Sequence, residues 1–387
     1  MSFRRSFGIL FTYTGVTVLP QLISRGTNIV TQTYAMGALR LWHGQSPYPA
    51  PTGVDLFKYS PWFGVLYLPF AGLPDRAQAA AWGVVNAAVF WAGVCRWFRL
   101  PSGRSIFWLG WILCAMELDG ALRYQQINPL LVGMALGALA DFRDGDEFRS
   151  GFWLGTAADF KVLPGLFAIA LPWTRRRAIG LIAAGLVAVA GPALVVGVSR
   201  TLSFHRDWLE LLAGDAGGPG LRDLATALAY WGFPATGLLL RRAVLAITVA
   251  ALVGLGWGRR LTDGTRWALW IAFGLEALLL VSPRTESPTF VLLSPCYLFL
   301  LHAIRERSGL GRSIAAAVFA AGAFLVTFSF NDLWPHRVWD PAVWHGTGKT
   351  LGVFLLWGLT AVLLARGASA AALPTLARRK LVTSPVG

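Results

Sequence analysis

The chain has 387 residues, 55% of them hydrophobic and only 14% charged, with 34 Lys and Arg against 19 Asp and Glu for a net charge of +15. An ordinary soluble domain carries about a quarter charged residues, and with a mean hydropathy of +0.56 this chain lacks the polar surface to coat itself in water. That excludes a soluble enzyme, a secreted disulfide scaffold and a nucleic-acid reader, and cations set between long apolar runs point to lipid instead.

The start, MSFRRSFGILFTYTGVTVLP, has the charge and apolar length of a signal peptide without a small-residue cleavage pattern after it, which predicts a retained first helix. Apolar segments lie near 7–23, 60–73, 77–97, 105–118, 128–141, 151–173, 179–198, 225–240, 243–257, 266–281, 289–303, 313–329 and 350–366. A membrane helix needs roughly 20 apolar residues. The pattern therefore predicts an all-α, polytopic transmembrane bundle of about 10–13 membrane segments, some of them broken or re-entrant. It reads as a single membrane domain over 1–370, with outer loops 24–59, 200–224 and 331–349 and a basic cytoplasmic tail over 371–387.

Lys and Arg concentrate on the cytoplasmic side of short loops. Arg4 and Arg5, the 96–104 loop, Arg175 to Arg177, Arg305 to Arg312 and the Arg378–Arg379–Lys380 tail go inside on that rule, so both termini are expected in the cytoplasm and the protein in the plasma (inner) membrane. An odd number of crossings would separate the termini, so one segment fails to span or one crosses twice. The suspects are 60–73, short and bracketed by prolines, and 151–173, which carries Asp159 and Lys161 at its middle. Arg241–Arg242 and Arg259–Arg260 flank one helix at both ends and leave it without an orientation.

Polar stretches then gather on the outer side. They are 24–59, with a helical patch near 29–42; Glu117, Asp119, Arg123, Gln126 and Asn128; Asp159 and Lys161; Ser282 to Pro288; and 331–349. Ionisable groups at membrane depth cost about 3 kcal/mol or more and mark sites or water-filled cavities. Lys161 needs a carboxylate or a ligand phosphate as partner, and Asp159, two residues away, lies on another face of the helix. Glu117 and Asp119 either end a helix in water or serve as base; Arg284 and Glu286 either satisfy each other or line the site; Gln126 and Asn128 either cap a helix or bind sugar. His336 and His345 are too far apart to argue for a metal. Cys95, Cys114 and Cys296 form no CxxC pair and read as packing thiols.

The run YQQINPLLVGMALGALADFRDGDEFRSGFWLGTAADFKVLPGLFAIALPWTRRRA resembles the central signature of the polyprenol-phosphate-mannose-dependent mannosyltransferases, glycosyltransferase family 87. Gln126, Asn128, Lys161, Pro164 and Arg175 to Arg177 occupy the places of that signature. GQSPYPAPTGVDLFKYSPWFGVLYLPFAGLP and VSPRTESPTFVLLSP are similar to two further pieces. The resemblance implies a glycosyltransferase C-type architecture and a membrane enzyme. It would move a sugar, mannose by analogy, with inversion from a polyprenyl-phosphate donor to a lipid or glycan acceptor at the outer face. Its partners would be that donor, that acceptor and membrane lipids, with no nucleic acid.

The resemblance makes Lys161 and Arg284 phosphate-binding candidates. Glu117, Asp119, Asp55 and Glu286, in that order, are candidates for the catalytic base, and Gln126, Asn128, Tyr59 and Asn28 for sugar or acceptor binding. No cofactor is evident and no metal-ligand cluster stands out, although relatives use a divalent cation. The chain departs from the family at Asn28, roughly where relatives carry an Asp base, and at Gln125, where they often carry Gly. A transporter or lipid flippase, and a non-catalytic membrane relative in an envelope assembly, remain as alternatives.

Overall fold

The computed structural model describes residues 3–49, 55–98, 106–162, 164–216, 222–257, 264–282, 285–328 and 341–366. Arg284, residues 331–340 of the third outer loop and the 371–387 tail lie outside them. Every regular element among the described residues is helical. In chain order these are α1 (Phe3–Arg25), α2 (Ile29–Trp42), α3 (Pro61–Ala71), α4 (Asp75–Phe98), α5 (Ile106–Arg123), α6 (Asn128–Arg143), α7 (Glu147–Phe160), α8 (Gly165–Ala170), α9 (Arg175–Val196) and α10 (Val198–Ala216). There follow α11 (Leu224–Tyr230), α12 (Pro234–Trp257), α13 (Gly264–Val281), a 3-10 segment (Ser287–Leu293), α14 (Ser294–Arg305), α15 (Gly309–Phe328) and α16 (Pro341–Arg366). Among the described residues eight helices are long and apolar enough to cross a membrane, so the chain is an all-α polytopic membrane protein.

The backbone N–H of Thr27 donates to Asp75 at 3.0 Å, which brings the end of α1 to the start of α4 and defines one face of the bundle, here the site face. From there α4 and α6 run side by side in the same direction. Asn86 accepts from the Leu130 N–H at 3.2 Å near that face, and Arg96 pairs with Asp141 near the other. Between these ties the two helices touch backbone to backbone, because a Cβ on Gly93 would collide with the Gly133 carbonyl. Small residues at a crossing let membrane helices approach this closely.

Both suspect segments resolve. α3 does not cross: it starts at Ser60 beside Asp159 and ends at a turn leading straight into Asp75, so both its ends stay near the site face. The 151–173 stretch turns back on itself at Lys161. After α8, Arg177 donates to the carbonyls of Ala168 (3.2 Å) and Leu171 (2.6 Å), and its own backbone lies against Gly151, one turn into α7.

One expectation is corrected. Arg241 and Arg242 do not end a helix, because α12 runs unbroken from Pro234 to Trp257. Arg241 is accommodated by Asp223, fully buried and 2.6 Å away, which also caps α11 through the Thr226 N–H. The segments 225–240 and 243–257 thus resolve into the short α11 and one long helix. In the 200–224 loop the structure places α10, whose Trp208 donates to the Lys58 carbonyl at 3.2 Å. The patch expected near 29–42 is α2, and all three cysteines are free and buried.

Candidate active site

The site is built on three short pieces of chain meeting at the site face. The first is the α5–α6 turn. Gln125 holds φ +55°, the one non-glycine among the described residues with a left-handed backbone. Its side chain fixes that shape: Nε2 donates to the Gly26 carbonyl at 2.7 Å, while Oε1 accepts from Thr31 Oγ1 at 2.5 Å and from the Asn28 N–H at 3.3 Å. Trp82 Nε1 donates to the Gln125 carbonyl at 2.9 Å. The turn delivers Gln126 and Asn128, both buried, to the head of α6.

The second piece is the α7–α8 turn carrying Lys161, whose Nζ donates to Asn128 Oδ1 at 3.1 Å. The third is the loop before the 3-10 segment. Glu286 accepts from Gln126 Nε2 at 3.2 Å, and Asn128 Nδ2 donates to Thr289 Oγ1 at 3.4 Å. Lys161, Asn128, Thr289, Gln126 and Glu286 therefore form one constellation. Burial pulls the Lys161 ammonium down to about 8, with the Glu286 charge working against that fall and Lys58 adding to it. A cation whose charge burial makes costly is poised to gain by meeting a phosphate.

The remaining candidates separate. Glu117 and Asp119 are two residues apart on one helix and face different ways. Asp119 turns to α1, accepting from Thr17 at 3.4 Å and pairing with Arg123 at 3.0 Å. Glu117 is buried and lies 3.8 Å from Lys349. Asp55 is exposed, its backbone N–H donating to Thr33 Oγ1 at 3.1 Å. Tyr59 is buried, its hydroxyl 3.0 Å from that of Tyr34, in an aromatic cluster with Phe63 and Trp82 that supports the site from below. Asn28 is the N-cap of α2, accepting from the N–H groups of Val30 and Thr31 and donating to the Tyr124 carbonyl.

Thr289 was missed from sequence, since a threonine in a Ser-Pro run carries no signal. Asp159 accepts from Ser60 Oγ at 2.8 Å and so anchors α3 next to the site.

An apolar groove of about 960 Å³ runs between α4, α6 and α7, walled by Trp62, Leu66, Val89, Met134, Phe152 and Val187. Its site-face end is lined by Leu130 and Phe160, beside Asn128 and Lys161. Its other end reaches Asp141 and Arg149. Among the described residues no group of three His, Cys, Asp or Glu side chains gathers to hold a metal ion.

Residues 57–283 match the sequence model of glycosyltransferase family 87, well over half the chain and all of the α6–α8 core of this site. The chain belongs to glycosyltransferase family 87. No curated protein matches it. As a family 87 member it is a membrane glycosyltransferase, with a sugar donor, an acceptor and a lipid environment. The expectations set by the signature residues Gln126, Asn128 and Lys161 fall inside the matched region, as do Tyr59, Glu117 and Asp119; Asn28, Asp55, Arg284 and Glu286 lie outside it.

Proposed function

We propose that this family 87 protein transfers mannose, with inversion, from a polyprenyl-phosphate donor to an acceptor hydroxyl at the outer face of the plasma membrane. The observation that carries the reading is the joining of Lys161 to Asn128 and of Glu286 to Gln126, close in sequence to Phe160 and Leu130, which line an apolar groove. A lipid-linked donor has an apolar chain and a single phosphate, and the chain offers an apolar groove with the Lys161 cation following Phe160 of its wall.

In the reaction the acceptor oxygen attacks the anomeric carbon while the bond from that carbon to the phosphate oxygen breaks. The electron pair leaves with the phosphate, whose growing charge Lys161 stabilises. The acceptor hydroxyl proton passes to Glu286, the carboxylate held by Gln126 and partly open to the site. Asn128 keeps Lys161 aimed. Single displacement of this kind inverts the anomeric centre.

The test is transfer from polyprenyl-phosphate mannose by the purified full-length protein in nanodiscs. Wild type should give the inverted product. Glu286→Gln should lower turnover by about 100-fold or more with donor binding retained. Transfer at the wild-type rate by that variant removes Glu286 from the reaction, and no transfer by wild type removes the proposal.

A further inference from the structure

We infer that α10 lies in the plane of the bilayer at the site face, with one edge seated in the lipid of that leaflet.

α9 is among the helices able to cross a membrane, and little of it is buried inside the protein: Ile182, Leu186 and Leu194 are all exposed. It runs from Arg177, beside Gly151, to the site face, where a Cβ on Gly191 would run into the ring of Trp62 at the start of α3. Gly197 then holds φ +83°, a left-handed backbone that glycine adopts freely, and turns the chain into α10. α10 does not cross. Arg200, His205, Arg206, Asp207 and Glu210 are too many ionisable groups for one span, and ties along its length hold it to the loop between α2 and α3. A Cβ on Gly44 would meet the Arg200 guanidinium, Asp207 accepts from Ser46 Oγ at 2.9 Å, and Trp208 donates to the Lys58 carbonyl at 3.2 Å.

At 3.6 residues per turn, α10 presents three separate faces. Thr201, Phe204 and Trp208 are buried on the side that packs toward α9 and α3. Ser203, Arg206 and Glu210 form an exposed polar face, where Arg206 and Glu210 pair at 2.8 Å. Val198, Leu202 and Leu209 form the third, apolar yet 62%, 56% and 58% exposed. Lipid is the occupant of that third face because it starts one residue beyond Gly197 and continues the open side of the α9 span, where Leu194 is 89% exposed. A helix with one apolar edge and an adjoining charged face settles at the boundary of acyl chains and headgroups, with its cations at the level of lipid phosphates. α10 also grips the chain that enters α3, where Ser60 donates to Asp159 at 2.8 Å. Its seat in the lipid therefore sets the depth at which the site face meets the membrane.

The test uses the full-length protein in phosphatidylcholine nanodiscs, with single cysteines labelled by a bimane fluorophore; the three native cysteines are buried. The quenchers are phosphatidylcholine carrying a nitroxide near the glycerol or deep in its acyl chain, and iodide in the water. Labels at Leu202→Cys and Leu209→Cys should be quenched several-fold more by the shallow nitroxide than labels at Ser203→Cys and Glu210→Cys, and iodide should give the reverse order. Leu186→Cys, within the α9 span, calibrates the deep nitroxide. Iodide that quenches all four α10 positions alike puts the apolar edge in water and overturns the inference. Protection of Leu202→Cys and Leu209→Cys from every quencher also overturns it, because protein then covers that edge. So does a change from shallow to deep quenching between Leu202→Cys and Leu209→Cys, since the helix then dips into the bilayer instead of lying along it.

Discussion

Gln126 Nε2 donates to Glu286 Oε2 at 3.2 Å, joining the head of α6 to the loop after α13 across 160 positions of sequence. The bond holds one carboxylate oxygen; in the proposed reaction the other takes the proton. Gln126→Leu should therefore lower kcat by about tenfold through misplacement of Glu286, with donor KM within about twofold of wild type. A rise in donor KM with kcat unchanged would move Gln126 from the base to the donor sugar.

Lys161 gives the site a pH dependence with a definite sign. Its native ammonium titrates near 8 against an ordinary 10.5. Below pH 8 the cation is present and a phosphate has its partner; by pH 9 about a tenth of it remains protonated in the free protein. Undecaprenyl phosphate binding should weaken by about five- to tenfold between pH 7 and pH 9, and the profile should be flat in Lys161→Met. Stability should move the other way. Between about 8 and 10.5 the unfolded chain holds more protons at this lysine than the native one, so thermal stability contributed there rises with pH.

Much of this was legible in the sequence, and the part that was not has a common cause. Lys161 stood out because a cation in a long apolar run must be explained, and Gln126 and Asn128 because they sit at a helix start. The base was harder. Glu117, Asp119 and Glu286 are equally polar on paper, and what separates them is which way each faces once its helix is packed. A shift of two positions along α5 sends Asp119 to Thr17 and Glu117 to Lys349. The prolines around 60–73 and the charges within 151–173 mark these two segments as suspects without deciding which way each goes. Hydropathy measures how apolar a segment is and carries no record of whether it crosses, turns back or lies along the face.

Gln125 shows a local exception compensated by its surroundings. A left-handed backbone costs a non-glycine residue about 1–2 kcal/mol, and glycine there would remove that strain. The side chain, however, makes three hydrogen bonds that tie α1 and α2 to the α5–α6 turn, each contributing about 1 kcal/mol. Gln125→Gly should come out destabilised by roughly 1–2 kcal/mol, and Gln125→Ala by more, since it keeps the strain and loses the bonds. Thermal unfolding in detergent measures the order. A glycine variant more stable than wild type would show that the bonds contribute less than the strain.

Glu117 supplies the decisive comparison, because it ranks with Asp119 first among the base candidates and the structure pairs it with Lys349. It is buried with Lys349 as its partner at 3.8 Å, and that lysine lies over Phe290, four residues beyond Glu286. Removing one member of a buried pair leaves an uncompensated charge and costs about 3–5 kcal/mol, whereas removing both is often close to neutral. Glu117→Gln should therefore fold poorly and lose activity along with folded protein. The double variant Glu117→Gln with Lys349→Met should regain most of the stability and keep turnover within about tenfold of wild type, the residual loss reflecting a less firmly held 3-10 segment. If Glu117 were the base, the double variant would be stable and inactive. Stability and turnover measured on the same two preparations distinguish the outcomes, and a stable, inactive double variant would return the role of base from Glu286 to Glu117.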